Sequence, residues 1–171
     1  MELLDYHIMS PQCFNPNITV DKLPSPTADD WSLILCEADG NCFYHALGMS
    51  SKSKKTPLKI RKDMIKYIHK INYSLPNIST VVDRIFSGID EEIEGVQVSP
   101  KSWANHEEMN IVAKMYSIGV VVWNSEYQMW TAAFPDDSYL YLSQCKKVVY
   151  MHHDGLHFNL LVRKCSSYDA S

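Results

Sequence analysis

A cysteine is a nucleophile only as its thiolate, so a catalytic cysteine needs surroundings that ionise it. Cys42 has such surroundings in its sequence. Asp39-Gly40-Asn41 is a turn signal, and Cys42 to Met49 (CFYHALGM) carries Phe43, Ala46 and Leu47 at helical spacing. A turn leading into a helix places Cys42 where free backbone N–H groups and the positive end of the helix dipole favour an anion. The same N–H groups offer an oxyanion hole for a tetrahedral intermediate. Gly40 lets the backbone approach a substrate carbonyl closely. Taken alone, this context favours a plainer reading, in which Cys42 is a small buried hydrophobe.

A thiol nucleophile also needs a general base, usually histidine, held by a third polar group. Of seven histidines, His157 stands out because it opens the segment LHFNLLV, Leu156 to Val162. Side chains on one face of a strand recur every second residue, so His157 and Asn159 share a face. Asn159 could then accept a hydrogen bond from the imidazole and fix its tautomer. The alternative is a half-buried sheet histidine beside a hairpin. His152 and His153 compete for the role, but two residues beyond each lie Asp154 and Gly155, where the chain turns.

Other constellations carry less. His106-Glu107-Glu108-Met109-Asn110 has Asn110 where a zinc-protease helix needs its second histidine, so Glu107 and Glu108 read as a solvated helix face. His152, His153, His157 and Cys145 lack the paired spacing of structural zinc sites. Neither a metal nor a cofactor is expected.

The positioning elements follow from pattern. Trp31 to Leu35 (WSLIL) reads as a strand. Thr56-Pro57 is a helix start, followed by Ile60, Met64, Ile68 and Ile71 at three- and four-residue steps. Asn77 to Phe86 reads as a shorter helix ending at Gly88, and Asp90 to Gly95 (DEEIEG) as an acidic loop. Ser102 to Tyr116 reads as a helix capped by Ser102, with Trp103, Met109, Val112, Ala113 and Tyr116 on its apolar face. Ile118 to Trp123 is β-branched and reads as a buried strand, with a further strand over Gln128 to Phe134. Lys147 to His153 and Leu156 to Arg163 form a hairpin across a two-residue Asp154-Gly155 loop. Helices first and strands later imply an α+β domain, with a mainly antiparallel sheet packed by helices. We expect an N-terminal arm over 1–30 that packs on the domain, a domain over 31–165 and a tail over 166–171.

Bulk properties set the class. The 171 residues suffice for one domain; 46% are hydrophobic, 21% are charged and the net charge is −4. That balance lacks the basic stripe of a nucleic-acid binder. Lys52, Lys54 and Lys55 lie among serines and read as a solvated loop. No apolar run approaches the ~18–20 residues of a membrane span. Met1 to Ser10 lacks the basic start of a signal peptide. Five cysteines (Cys13, Cys36, Cys42, Cys145, Cys165) without a CxxC pair suggest free thiols in a reducing compartment. The Asn-x-Ser/Thr triplets at Asn17, Asn72 and Asn77 then read as chance.

Together, three blocks carry a resemblance to a known family. Asp39-Gly40-Asn41-Cys42-Phe43-Tyr44-His45-Ala46-Leu47 resembles the nucleophile motif of the ovarian-tumour (OTU) cysteine deubiquitinases. Trp103-Ala104 with Glu107-Glu108, an apolar helix and the strand Ile118 to Trp123 resembles the family's middle block. His157-Phe158-Asn159 resembles its closing His-aromatic-Asp/Asn. The blocks occur in family order and span roughly residues 34 to 163. The compact size and divergent flanks are similar to viral or bacterial members.

The resemblance implies a papain-like fold, a small mainly antiparallel sheet packed between helices. It implies a thiol protease cleaving isopeptide or peptide bonds after the C-terminus of ubiquitin or a ubiquitin-like modifier through a thioester. By position, Cys42 is the nucleophile, His157 the base and Asn159 its orienter, with Asp39 able to share that role; N–H groups of Cys42 and the Asp39–Asn41 loop form the oxyanion hole. The partners implied are ubiquitin, polyubiquitin chains or ubiquitin-like modifiers, not nucleic acid or membrane. The protein is expected to be monomeric and cytoplasmic, in the host cytoplasm if viral or bacterial. An inactive ubiquitin-binding module and a viral polyprotein-processing protease are the alternatives. Trp103, Tyr127, Trp130 or Phe134 are candidates to line the cleft, and Asp136 and Asp137 to meet arginines of a ubiquitin tail.

Overall fold

A computed structural model describes residues 18–51, 54–72 and 76–164. Most of the expected arm (1–17) and the tail (166–171) lie outside these residues, as do Cys13, Cys165 and Lys52.

The strands are β1 (Trp31–Ile34), β2 (Gly119–Asn124), β3 (Met129–Ala133), β4 (Val148–His153) and β5 (Phe158–Arg163). They form one sheet in the order β1-β5-β4-β2-β3. Every neighbouring pair is antiparallel except β2 and β4, which run parallel from Gly119↔Val148 to Asn124↔His153. The helices are α1 (Cys42–Met49), α2 (Pro57–Ile71), α3 (Ile78–Glu94) and α4 (His106–Tyr116). This is the α+β, mainly antiparallel architecture the sequence predicts.

Period-two alternation sends β2 side chains into two cores. Val120 and Val122 join Phe43, Leu47, Met64, Ile85 and Ile111 on the face covered by the four helices. Val121 and Trp123 join Trp31, Trp130 and Tyr150 on the other face. That second face is covered by Val20 and Leu23, and by Leu142 in a short 3-10 turn. The Trp130 indole N–H donates to the Pro24 carbonyl at 3.0 Å, tying the 18–26 segment down. The sheet therefore lies between four helices and a thinner layer of short helical turns. Among the described residues no helix is long and apolar enough to cross a membrane.

Three local readings need correction. The segment Asp90 to Gly95 is not a loop. α3 runs through Gly88 and ends at Gly95, because Glu91 and Glu92 have partners there: Glu91 accepts from Ser99 and Ser102, and Glu92 from Asn41. Gly88 is not a helix stop but a close approach, since a Cβ there would overlap the Arg61 guanidinium. Arg61 is fully buried and pinned by hydrogen bonds, so it has no room to retreat. Gly88→Ala is expected to destabilise the fold by about 2 kcal/mol through overpacking, read as a lower urea midpoint with unchanged m-value.

α4 begins at His106 rather than Ser102. Asn105 caps it and Glu108 completes a capping box by accepting the Asn105 N–H at 2.7 Å. Pro100–Ser102 is a separate 3-10 turn, so Trp103 precedes the helix. Glu108 is not part of a solvated face: it is fully buried and bound by Arg84 Nε at 2.7 Å. Burial pushes its carboxyl up, and the Arg84 bond offsets this only in part.

The β4–β5 connection has four residues, not two. Asp154 Oδ1 accepts the N–H groups of Leu156 (3.0 Å) and His157 (2.8 Å), and Asp154 N–H donates to the His157 carbonyl. The aspartate side chain thus builds a wider turn than an Asp-Gly pair alone would. His157 is the last residue of this loop, immediately before β5.

Candidate active site

Two chain crossings assemble the site. β1 pairs with β5 in the register Ile34↔Leu160, so the chain leaving β1 carries Cys36 alongside Phe158. From there it turns at Gly40, whose φ of 83° suits glycine, and enters α1 at Cys42. α1 packs on β5 through Phe43 against Phe158, ring centroids 5.4 Å apart. Cys42, 8% exposed, then lies against the start of β5: the Phe158 N–H points to its Sγ at 3.3 Å. His157 is the residue immediately before this contact in the chain.

His157 is oriented by main chain. Its Nε2 lies 2.9 Å from the Cys36 carbonyl oxygen. A carbonyl only accepts, so Nε2 carries a proton and the neutral ring keeps its lone pair on Nδ1. Asn159, 5% exposed, accepts the Cys36 N–H on Oδ1 at 2.9 Å. The expected Asn159–His157 bond is therefore replaced by a relay in which Asn159 holds the Cys36 peptide and that peptide holds the imidazole. The sequence points to the two ends of this relay; the middle is backbone, which residue type does not advertise. Asn159→Ala would leave the half-buried Cys36 N–H without its acceptor, at a cost of about 1 kcal/mol. Its turnover should fall about 10–100-fold, far less than for loss of the thiol, with a lowered Tm as the accompanying readout.

Asp39 is placed elsewhere. Its Oδ1 accepts the Asn41 N–H at 3.0 Å and its Oδ2 is 2.8 Å from His45 Nε2, so both oxygens serve the nucleophile loop and neither serves His157. With the Asn41 N–H taken, the N–H groups of Gly40 and Cys42 are the donors this loop has left. Glu37, Asp39 and His45 bring their ligand atoms within 4.8 Å of one another, the arrangement among the described residues that best matches a metal-binding group. Cys145, by contrast, sits in the Trp-rich core, away from the histidine cluster imagined with it.

The electrostatics differ from the simple helix-terminus picture. Burial pushes the Cys42 thiol up, only partly offset by the N–H groups of Phe158 and Phe43, and the Asp39 charge pushes it further the same way. Ionisation thus depends on a base accepting the proton. Cys36 and Cys145 are pushed up to about 11, by burial first in each case.

A cleft of about 150 Å³ opens at Cys42, its lining including Gly40, Trp103, Ala104, Gly155 and Leu156. It is smaller than the ~300–1,000 Å³ of typical small-molecule pockets. His153 also lines it, stacked on Phe158 at 4.2 Å and pushed down by burial. Of the four aromatics considered for the cleft, Trp103 alone lines it. Trp130 and Phe134 belong to the second core and Tyr127 is 69% exposed in the β2–β3 turn. Asp136 binds Ser138 in its own loop and Asp137 pairs with Lys114 at 2.8 Å. Asp154, which builds the loop carrying His157, reads in the sequence only as a turn residue.

No family model and no curated protein matches the sequence. Solved structures do. The chain is similar to the Hazara virus OTU bound to ubiquitin (21% identity, 84% of this chain and 88% of that one, TM-score 0.54). It is similar to the viral OTU domain protease of Qalyub virus (18%, 80% and 86%, 0.54). It also resembles an OTU deubiquitinase of Wolbachia pipientis wMel (18%, 85% and 97%, 0.50). With this sheet order, these helices and a cysteine at the start of α1 facing the start of β5, the chain has the OTU fold.

Proposed function

We propose that the protein is a cysteine-type deubiquitinase of the OTU family, with Cys42 as nucleophile and His157 as general base. The observation that carries this reading is that the Phe158 N–H meets Cys42 Sγ while the adjoining His157 donates its Nε2–H to the Cys36 carbonyl, which leaves Nδ1 as the ring's basic nitrogen. In the reaction, Nδ1 takes the Cys42 proton as Sγ attacks the carbonyl carbon of the modifier's last residue. The oxyanion is received by the Gly40 and Cys42 N–H groups. His157 returns the proton to the leaving amine, the C–N bond breaks and a thioester remains. Water, deprotonated by His157, then attacks the thioester, releasing the carboxylate and restoring the thiol.

The substrate assignment draws on the cleft. Small residues at Gly40, Ala104 and Gly155 suit a narrow extended tail ending in glycine, as ubiquitin's does. Ubiquitin, its chains or a ubiquitin-like modifier are the partners of this reading. The protein acts as a monomer in the cytoplasm, the host's if its source is a virus or bacterium. Every step is carried by the chain's own side chains and peptide groups.

The test is hydrolysis of C-terminal fluorogenic amides of ubiquitin and of ubiquitin-like modifiers, followed by linkage-defined diubiquitins. Release from at least one ubiquitin substrate is expected. No release from any of them, at high enzyme concentration, would contradict the proposal.

A further inference from the structure

Asn41 immediately precedes the nucleophile and is the N-cap residue of α1, yet its side chain makes no capping bond. An asparagine there ordinarily accepts an N–H of the first helical turn. Instead the side chain, 1% exposed, is held at both ends by other groups. Its Oδ1 accepts from Arg61 Nε (3.1 Å) and Nη2 (2.8 Å), and its Nδ2 donates to Glu92 at 2.8 Å. An amide is suited to this position because it accepts from a cation on one side and donates to an anion on the other.

Arg61 is an unusual residue to bury. Its remaining donors go to the carbonyls of Ser102 (2.9 Å) and Arg84 (3.4 Å), and it lies over the Tyr44 ring at 4.3 Å. None of its acceptors among the described residues is a carboxylate; the negative charge on its path is Glu92, reached through Asn41. Burying a guanidinium in this way is costlier than an apolar packing of the same space. α3 further gives up a side chain at Gly88 to house it.

We infer that Arg61 and Glu92 are positioning residues that act through Asn41, clamping its side chain at both ends and so fixing the Asn41–Cys42 peptide whose N–H receives the oxyanion. This rests on the hydrolase reading above. The effect is one of geometry. The groups bearing on the Cys42 thiol are the Phe158, Phe43 and Cys42 N–H groups and the Asp39 carboxylate, and Arg61 is not among them.

Two reactions of the same thiol separate the roles. Hydrolysis of a ubiquitin C-terminal amide needs an oxyanion hole, whereas alkylation of Cys42 by iodoacetamide does not. Arg61→Lys is expected to lower kcat about 100-fold, the order found for losing one oxyanion donor. Glu92→Ala, at an exposed carboxylate, should lower it about fivefold, and Glu92→Gln should recover most of that because its carbonyl still accepts from Asn41. KM, the alkylation rate and its pH profile should stay within about twofold of wild type. A parallel fall of alkylation and kcat, or an unchanged kcat in the Arg61 and Glu92 variants of an active enzyme, would overturn this inference alone. If Arg61→Lys does not fold, the Glu92 pair decides. A wild type that alkylates but hydrolyses no ubiquitin amide would overturn the hydrolase reading and this inference with it.

Discussion

Cys42→Ala should abolish hydrolysis of ubiquitin substrates, lowering turnover by more than about 10⁴-fold, because it removes the thiol that forms the thioester. The fold should survive, since the change removes one sulfur at the end of α1 and leaves the Phe43 and Phe158 packing in place. The same thiol should dominate alkylation among the described cysteines. Cys36 and Cys145 are pushed up to about 11, by burial first in each case. At pH 7.5, peptide mapping after limiting iodoacetamide should find Cys42 labelled well before Cys36 or Cys145. Equal labelling of Cys36 would mean that the Cys42 site supplies no activation.

His157→Ala should lower kcat about 10²–10⁴-fold, the range general acid–base catalysis contributes. Its pH dependence is more telling. Burial raises the Cys42 thiol, so a Cys42 deprived of its base must ionise by itself, above the usual thiol range near pH 8.5. The sign follows directly: alkylation of Cys42 in His157→Ala should be slower than wild type at neutral pH and should keep climbing as pH rises past 8.5. A variant whose alkylation levels off at the wild-type pH would show that backbone N–H groups, not His157, ionise the thiol.

Much of the site was legible in the sequence because it is built from short local signals. Asp39-Gly40-Asn41 reads as a turn and Cys42 as the first residue of a helix, and both hold. The order of His157 and Asn159 on the way into β5 is equally local. What was not legible depends on long-range partners. The Asn159–Cys36–His157 relay runs between β1 and β5 and has a peptide group at its centre. Asp39 looked available to His157, but His45, one helical turn beyond Cys42, takes it. Gly88 reads as a helix end because glycine is a poor helix former; only the buried Arg61 beside it explains why the helix continues. Glu108 reads as surface because its Arg84 partner lies 24 residues away on another helix. The helix at 102 was started too early because Ser102 is an acceptable cap, while Asn105 with Glu108 makes the better one.

The central claim is that Cys42 attacks the C-terminal carbonyl of ubiquitin. Its most direct test is to incubate wild type and Cys42→Ala with ubiquitin bearing an electrophilic C-terminal group and to weigh the intact products. The account predicts a one-to-one covalent adduct in the wild type, mapped to Cys42, and none in Cys42→Ala. A wild type that forms no adduct, or an adduct that persists in Cys42→Ala, would contradict it.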